Sequence, residues 1–198
     1  DQIESLPFTH PGVSFVRGSP LAEQTYQRAN VRDARQAMVL TTGYDDPKSD
    51  SIAASVVSIL EHLNPGIRSV AEVVNTDHSL LFRDMKNVSL VYTFLMSNNL
   101  LVQETQDVGV HMLTHAITSN LIEGTLVSTR VQGGVYQSLP YIGIAKRLLD
   151  HEVNLVGVIR GNQVYVRFDG IYLTEDDRMV SICSTRHDWT TIRSMLGL

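Results

Sequence analysis

Short apolar runs rich in β-branched residues alternate with stretches of helical periodicity through the first half of the chain, the order expected when parallel strands are joined by crossover helices. The runs Val13-Ser-Phe-Val16, Ala37-Met-Val-Leu-Thr41, Arg68-Ser-Val-Ala-Glu-Val-Val74 and Val88-Ser-Leu-Val-Tyr92 predict strands. Between them, Leu21 to Asn30 and Ser49 to Leu63 predict helices. The second carries Ile52, Val56, Ile59, Leu60 and Leu63 on one face, and Asn64-Pro65-Gly66 stops it. Ser49 or Asp50 stands where a side-chain oxygen can cap its first turn. A third helix is expected from about Asp77 to Lys86. Nearly continuous apolar strands predict a sheet covered on both faces, and right-handed crossovers then make a doubly wound α/β lobe.

After Tyr92 the periodicity becomes helical from Phe94 to about Asn120, broken once by Gly109, which weakens a helix by about 1 kcal/mol relative to alanine. Two helices with a bend are expected. Their apolar positions, Phe94, Leu95, Leu101, Val108, Met112, Leu113 and Ile117 among them, exceed what one stripe toward a core requires, and predict a buried homodimer interface. Strands return at Thr125 to Val131, Asn154 to Arg160, Val164 to Phe168 and Arg178 to Ser184. Helices are expected near Ile142 to Asp150 and Asp188 to Leu196, giving a small α+β lobe. Gly161-Asn162 reads as a two-residue hairpin, since both residue types tolerate positive φ.

Composition narrows the function classes. The 198 residues carry 16 Lys and Arg against 21 Asp and Glu, a formal charge of −5, so no broad electrostatic attraction to nucleic acid exists. Hydrophobic content of 43% and charge of 19% are ordinary for a globular protein. No apolar run approaches the length of about 20 residues that a membrane-spanning helix needs. The single cysteine, Cys183, has no internal disulfide partner and lies in an apolar run, which reads as a buried thiol in a reducing compartment. The opening Asp1-Gln-Ile-Glu-Ser-Leu-Pro has no basic-then-apolar signal pattern and no initiator Met, so upstream sequence is expected.

Candidate chemistry is sparse. The elbow Gly-x-Ser-x-Gly is absent, and Arg17-Gly18-Ser19-Pro20 lacks its second glycine, which disfavours a hydrolase. His111 and His115 share a helical face, but neither the zinc-protease Glu nor a third ligand accompanies them. Asp45-Asp46 and Asp176-Asp177 lie in turn-rich stretches where solvated carboxylates are common, and no metal site is expected. Open parallel sheets bind ligands outside their C-terminal strand ends. Here those ends are Gly18-Ser19 and Thr41-Thr42-Gly43, small residues that let a ligand approach the backbone or that simply turn the chain. An NAD-dependent oxidoreductase is the rival reading of the alternating pattern. It lacks the Gly-x-Gly-x-x-Gly turn for a pyrophosphate and a hydride-transfer acid or base.

The order of residues resembles the regulator-of-potassium-conductance family, the TrkA N- and C-terminal domain pair. The stretches that carry the likeness are Val13-Ser-Phe-Val-Arg-Gly-Ser-Pro, Ala29-Asn-Val-Arg-Asp-Ala-Arg-Gln-Ala-Met-Val-Leu-Thr, Asp50-Ser-Ile and Leu63-Asn-Pro-Gly-Ile-Arg-Ser-Val-Ala-Glu-Val for the N-lobe. Asn154-Leu-Val-Gly-Val-Ile-Arg-Gly-Asn and Asp176-Asp-Arg-Met-Val-Ser-Ile carry it for the C-lobe. The resemblance implies an α/β fold. Residues 1–93 would form a partial Rossmann-like, doubly wound parallel lobe lacking its first βαβ, residues 94–120 a helical dimerisation segment, and residues 121–198 a small α+β C-terminal lobe.

It further implies a non-catalytic gating-ring module in the cytoplasm at the inner face of the cell membrane. Such a module forms a homodimer or octameric ring and acts on a potassium-conducting pore, fused or separate. Asp1 would stand at the end of the second strand, where the family keeps an acid for a nucleotide ribose, so a nucleotide is expected only if a Gly-rich turn lies upstream. Ile159, Arg160 and Asn162 would lie near where some relatives bind cyclic dinucleotides, with Arg160 able to pair with a phosphate. Met85-Lys-Asn-Val-Ser offers no counterpart to the acidic cluster of the calcium-gated members, so calcium sensing is not implied.

Overall fold

A computed structural model of the chain describes residues 8, 10–119, 124–133 and 139–198. These fall into two compact units, one through Val102 and one from Gln103 to Leu198, each with its own apolar core.

The first unit is a three-stranded parallel sheet in the order β1-β2-β3, formed by β1 (Gln36–Val39), β2 (Arg68–Glu72) and β3 (Val88–Val91). Helix α1 (Glu23–Arg28) and a single 3-10 turn at Val31–Asp33 precede β1. Helix α2 (Ser49–Leu63) joins β1 to β2 and buries Ala53, Val56, Val57 and Leu60 against Val39, Ala71 and Val73. Its C-terminus is tied down by Asn64, whose Nδ2 donates to the carbonyls of Val31, Arg32 and Ala34.

Three expectations change here. Residues 13–16 form no strand: Val13 and Phe15 are exposed, and no neighbouring strand takes up their backbone groups. The expected helix from Asp77 to Lys86 is a 3-10 run, Thr76–Phe82. Asn75 Oδ1 accepts from Asp77 N at 3.0 Å, and this tight side-chain turn sets the start of the run. Nor is the sheet covered on both faces among the described residues. Met38 and Val70 lie side by side in register and are 74% and 37% exposed, because α2 covers only the opposite face.

Helices α3 (Thr93–Gln106) and α4 (Val110–Thr118) follow, with the expected break at Gly109, where φ is 100°. No residue of either helix is buried. Glu104 secures the break. It accepts from Gly109 N at 2.8 Å and His111 N at 2.9 Å and pairs with His111 Nδ1 at 3.0 Å, which pulls its carboxyl down to about 2.

The second unit holds an antiparallel sheet in the order β4-β7-β5-β6, from β4 (Thr125–Arg130), β5 (Asn154–Arg160), β6 (Gln163–Tyr165) and β7 (Arg178–Cys183). The expected hairpin stands at Gly161-Asn162, with Gly161 at φ 55° and Arg160 facing Gln163. Helices α5 (Tyr141–Leu149) and α6 (Trp189–Leu196) supply Ile144, Leu148, Ile192 and Leu196 to the core. Asp188 caps α6 by accepting from Thr191 N at 2.8 Å. Cys183 is a buried free thiol whose pKa burial raises. No helix among the described residues is long and apolar enough to cross a membrane.

Candidate ligand-binding edge

Two buried carboxylates and a cluster of hydroxyls gather where the parallel strands end. Thr41 and Thr42 leave β1 and meet Ser49 in the first turn of α2. Ser49 Oγ accepts from Thr42 N at 2.9 Å and Thr42 Oγ1 at 3.2 Å, and lies in short contact with Thr41 Oγ1. Asp50 accepts from Val74 N at 2.9 Å and Asn75 N at 3.0 Å, and its Oδ2 pairs with His78 Nδ1 at 2.8 Å. Burial works to raise the Asp50 pKa. The two amides and the imidazole prevail and hold it below the usual carboxylate value.

Ser49 and Asp50 therefore do not cap α2. The N-cap position is Lys48, which makes no side-chain cap, and both side chains reach instead to the loops that follow β1 and β2. Both are almost fully buried.

Glu72, at the end of β2, is the second carboxylate. Thr93 Oγ1 and Tyr44 Oη each donate to its Oε1 at 2.7 Å, and Thr41 N donates to Oε2 at 3.0 Å. The Thr93 hydroxyl and then the Thr41 amide lower its pKa against the pull of burial. With both acids held ionised and each bound to loop amides or hydroxyls, the edge fixes the loops that follow β1 and β2. Beside it opens a mainly apolar groove of about 390 Å³, lined among others by Tyr26, Met38, Leu40, Thr42, Ile52 and Val56.

Of the residues expected to contact a ligand, Thr41 and Thr42 stand at this edge. Gly18 and Ser19 end no strand of the sheet. A Cβ on Gly18 would collide with the Thr25 side chain, and Ser19 O accepts from Thr25 Oγ1 at 3.0 Å, so the pair forms the turn that leads into α1. Arg160 and Asn162 lie in the second unit. Arg160 Nε and Nη2 bind Asp177 at 2.8 and 2.9 Å, and Nη2 also binds Tyr172 O at 2.7 Å. Asn162 is exposed in the hairpin. Asp1 lies outside the described residues.

Asp177 corrects another expectation: it is no solvated turn carboxylate but has no exposed surface at all, whereas Asp176 stays outside, pairing with Arg130. Among the described residues no group of three or more His, Cys, Asp or Glu could hold a metal ion. Glu72, Asp50, Tyr44 and His78 were not legible as site residues. The one signal available was Glu72 itself, an acid in an otherwise apolar strand end, Val70-Ala-Glu-Val-Val74.

No family model matches the sequence, and no curated protein matches it. Solved structures do. The chain is similar to the human SLO3 gating ring with a TM-score of 0.64 at 11% identity, over 91% of this chain and 38% of that one. It also aligns with the GsuK RCK domain, at TM-score 0.43 and 16% identity over 92% of this chain and 37% of that one. The GsuK channel bound to NAD gives 0.43 and 16% over 98% and 33%. The chain spans well under half the length of each of these. What it shares with the human SLO3 gating ring is the fold, a parallel α/β lobe followed by a helix pair and an antiparallel α+β lobe.

Proposed function

We propose that this chain is part of a cytosolic gating ring that regulates potassium transport, a binding module without catalysis. Residues 1–93 serve as its N-lobe, 94–120 as the dimerisation segment and 121–198 as the C-lobe. The observation that carries the reading is the run of apolar side chains left open along α3, the turn after it and α4, on a gating-ring fold. Phe94, Leu95, Leu101, Val108, Met112 and Leu113 are 44% to 93% exposed, and Ile117 is half-buried. So much apolar side chain marks an interaction surface, and in a ring its partner is a second copy of the chain.

In the first unit the ligand residues are Thr41 and Thr42 at the strand ends, with Gly18 and Ser19 near α1; Arg160 and Asn162 are a separate candidate in the second unit. A ligand works by binding one state of the ring more tightly than the other. A shift from 1:99 to 99:1 needs about 5.5 kcal/mol of differential affinity summed over sites. The module sits in the cytoplasm at the inner face of the cell membrane and acts on a potassium-conducting pore there, fused or separate.

Sedimentation velocity of the chain at micromolar concentrations tests the assembly. A dimer or larger even-numbered species is expected, and a monomer throughout overturns the reading. Turnover of a nicotinamide cofactor with a substrate panel would instead favour the oxidoreductase.

A further inference from the structure

Tyr44, Glu72 and Thr93 belong to three separate segments: the loop after β1, the end of β2 and the first residue of α3. Both hydroxyls donate to one oxygen of the Glu72 carboxylate, while its other oxygen takes the amide of Thr41. Glu72 is 9% exposed, so a donor or acceptor that loses its partner here bears its own desolvation cost. The loop and the helix start therefore share one rigid plane of acceptors. Any turn of that plane toward donors on one side misaligns it for donors on the other.

We propose that Glu72 is a coupling residue that makes the order of the ligand-edge loop, Thr41 to Tyr44, and the order of the first turns of α3 rise and fall together. The exposed side chains Phe94 and Leu95 follow directly from Thr93, so the state of the loop is transmitted to the surface proposed above as the contact with a second copy. What the two ends bind rests on that earlier reading. The coupling itself is a property of the unliganded chain, and linkage makes it reciprocal.

Amide hydrogen exchange on the full, unliganded chain tests it. Met96 N, bonded to Tyr92 O at 2.9 Å, and the amides after it report on α3, and Thr41 and Thr42 N report on the loop. Glu72→Gln offers one acceptor oxygen where the carboxylate offers two, and adds donors facing donors. It is expected to speed exchange at both ends together by about twofold to tenfold, the factor that one net hydrogen bond supplies. Leu148 and Val158 in the second unit should be unchanged.

Two milder variants keep the test decisive should Glu72→Gln fail to fold. Tyr44→Phe deletes one hydroxyl from a side chain that is 56% exposed, and is expected to change exchange at Met96 and Ser97. Thr93→Val is expected to change it at Thr41 and Thr42. The double variant should depart from the product of the single effects. Effects confined to the segment that carries each substitution, with a strictly multiplicative double variant, overturn the coupling. Because no ligand is present, that result would leave the ligand reading standing, just as a monomer in sedimentation would leave the coupling standing.

Discussion

Arg160 grips Asp177 through both carboxylate oxygens, Nε to Oδ1 at 2.8 Å and Nη2 to Oδ2 at 2.9 Å. Tyr141 Oη and Thr174 N complete the shell around Oδ2 at 2.8 and 2.9 Å. The four groups tie the end of β5, the start of α5 and the turn before β7 into one buried node. Burial pushes the Tyr141 phenol far above its ordinary pKa, and the adjacent Asp177 carboxylate pushes the same way.

Removing the guanidinium leaves a fully buried carboxylate without its counter-charge. Arg160→Ala is expected to cost about 3 kcal/mol, the low end for a broken buried pair because Arg160 is itself over a third exposed and partly screened by water. Arg160→Lys keeps the charge but loses the fork, and should fall between wild type and the alanine variant. The shift in urea midpoint at neutral pH measures both. A loss below about 1 kcal/mol for the alanine variant would mean the pair contributes like a surface salt bridge.

Acid should unfold the chain through its buried acids. Asp50, Glu72 and Asp177 all have folded pKa values held below the ordinary carboxylate range, each in opposition to burial. The unfolded chain therefore binds more protons than the folded one between the two values, and stability rises with pH across that window. Their contribution is complete above the unfolded value of about 4 and is lost as pH falls through the folded values. Urea midpoints measured from pH 7 down to pH 2.5 should be flat at first and then drop. Asp50→Asn should flatten the drop; an unchanged slope would show that Asp50 does not take part.

What could be read ahead of the structure was whatever depends on local pattern. The helix Ser49–Leu63 and the strand Asn154–Arg160 have the predicted bounds, because a clear apolar face or a β-branched run ends at an unambiguous stop in each. Gly109 announced the bend between α3 and α4 for the same reason. The buried acids were beyond reach. Asp176 and Asp177 are chemically identical neighbours, and distant partners, Arg160 seventeen and Tyr141 thirty-six positions away, decide which of them goes inside. Glu72 meets Tyr44 and Thr93 from 28 and 21 positions away, so no sequence window holds the cluster. The run Val13 to Val16 has strand composition, but a strand also needs a neighbour.

Gly109 gives a sharper local test. Its φ of 100° suits glycine, and a Cβ there would meet nothing within 4 Å, so any cost of substitution is backbone strain and not collision. Gly109→Ala is expected to destabilise the second unit by about 1–2 kcal/mol. It should also weaken the Glu104 contacts with Gly109 N and His111 N, visible as faster exchange at His111. Wild-type stability with wild-type exchange would mean that the break tolerates an ordinary residue.

The open apolar face of the helix pair makes the last prediction. Leu101 and Leu113 are 67% and 61% exposed, on helices that bury no residue within the chain, so replacing either with aspartate removes no contact from either core. Folding should survive, with helical circular dichroism and urea midpoint close to wild type. Association should not. Burying a leucine side chain contributes roughly 1.5–3 kcal/mol, and a two-fold interface buries it twice, so each variant should weaken a dimer by at least about a hundredfold. Sedimentation equilibrium from 1 to 100 micromolar, about two decades, is wide enough to follow that change. Thr118→Asp, which adds the same charge at an exposed polar position at the end of α4, controls for charge alone. If Leu101→Asp and Leu113→Asp associate as tightly as the control, the exposed leucines belong to some other contact and the copies meet elsewhere. If both variants are monomers while the control is not, the helix pair is the surface through which copies of the chain associate.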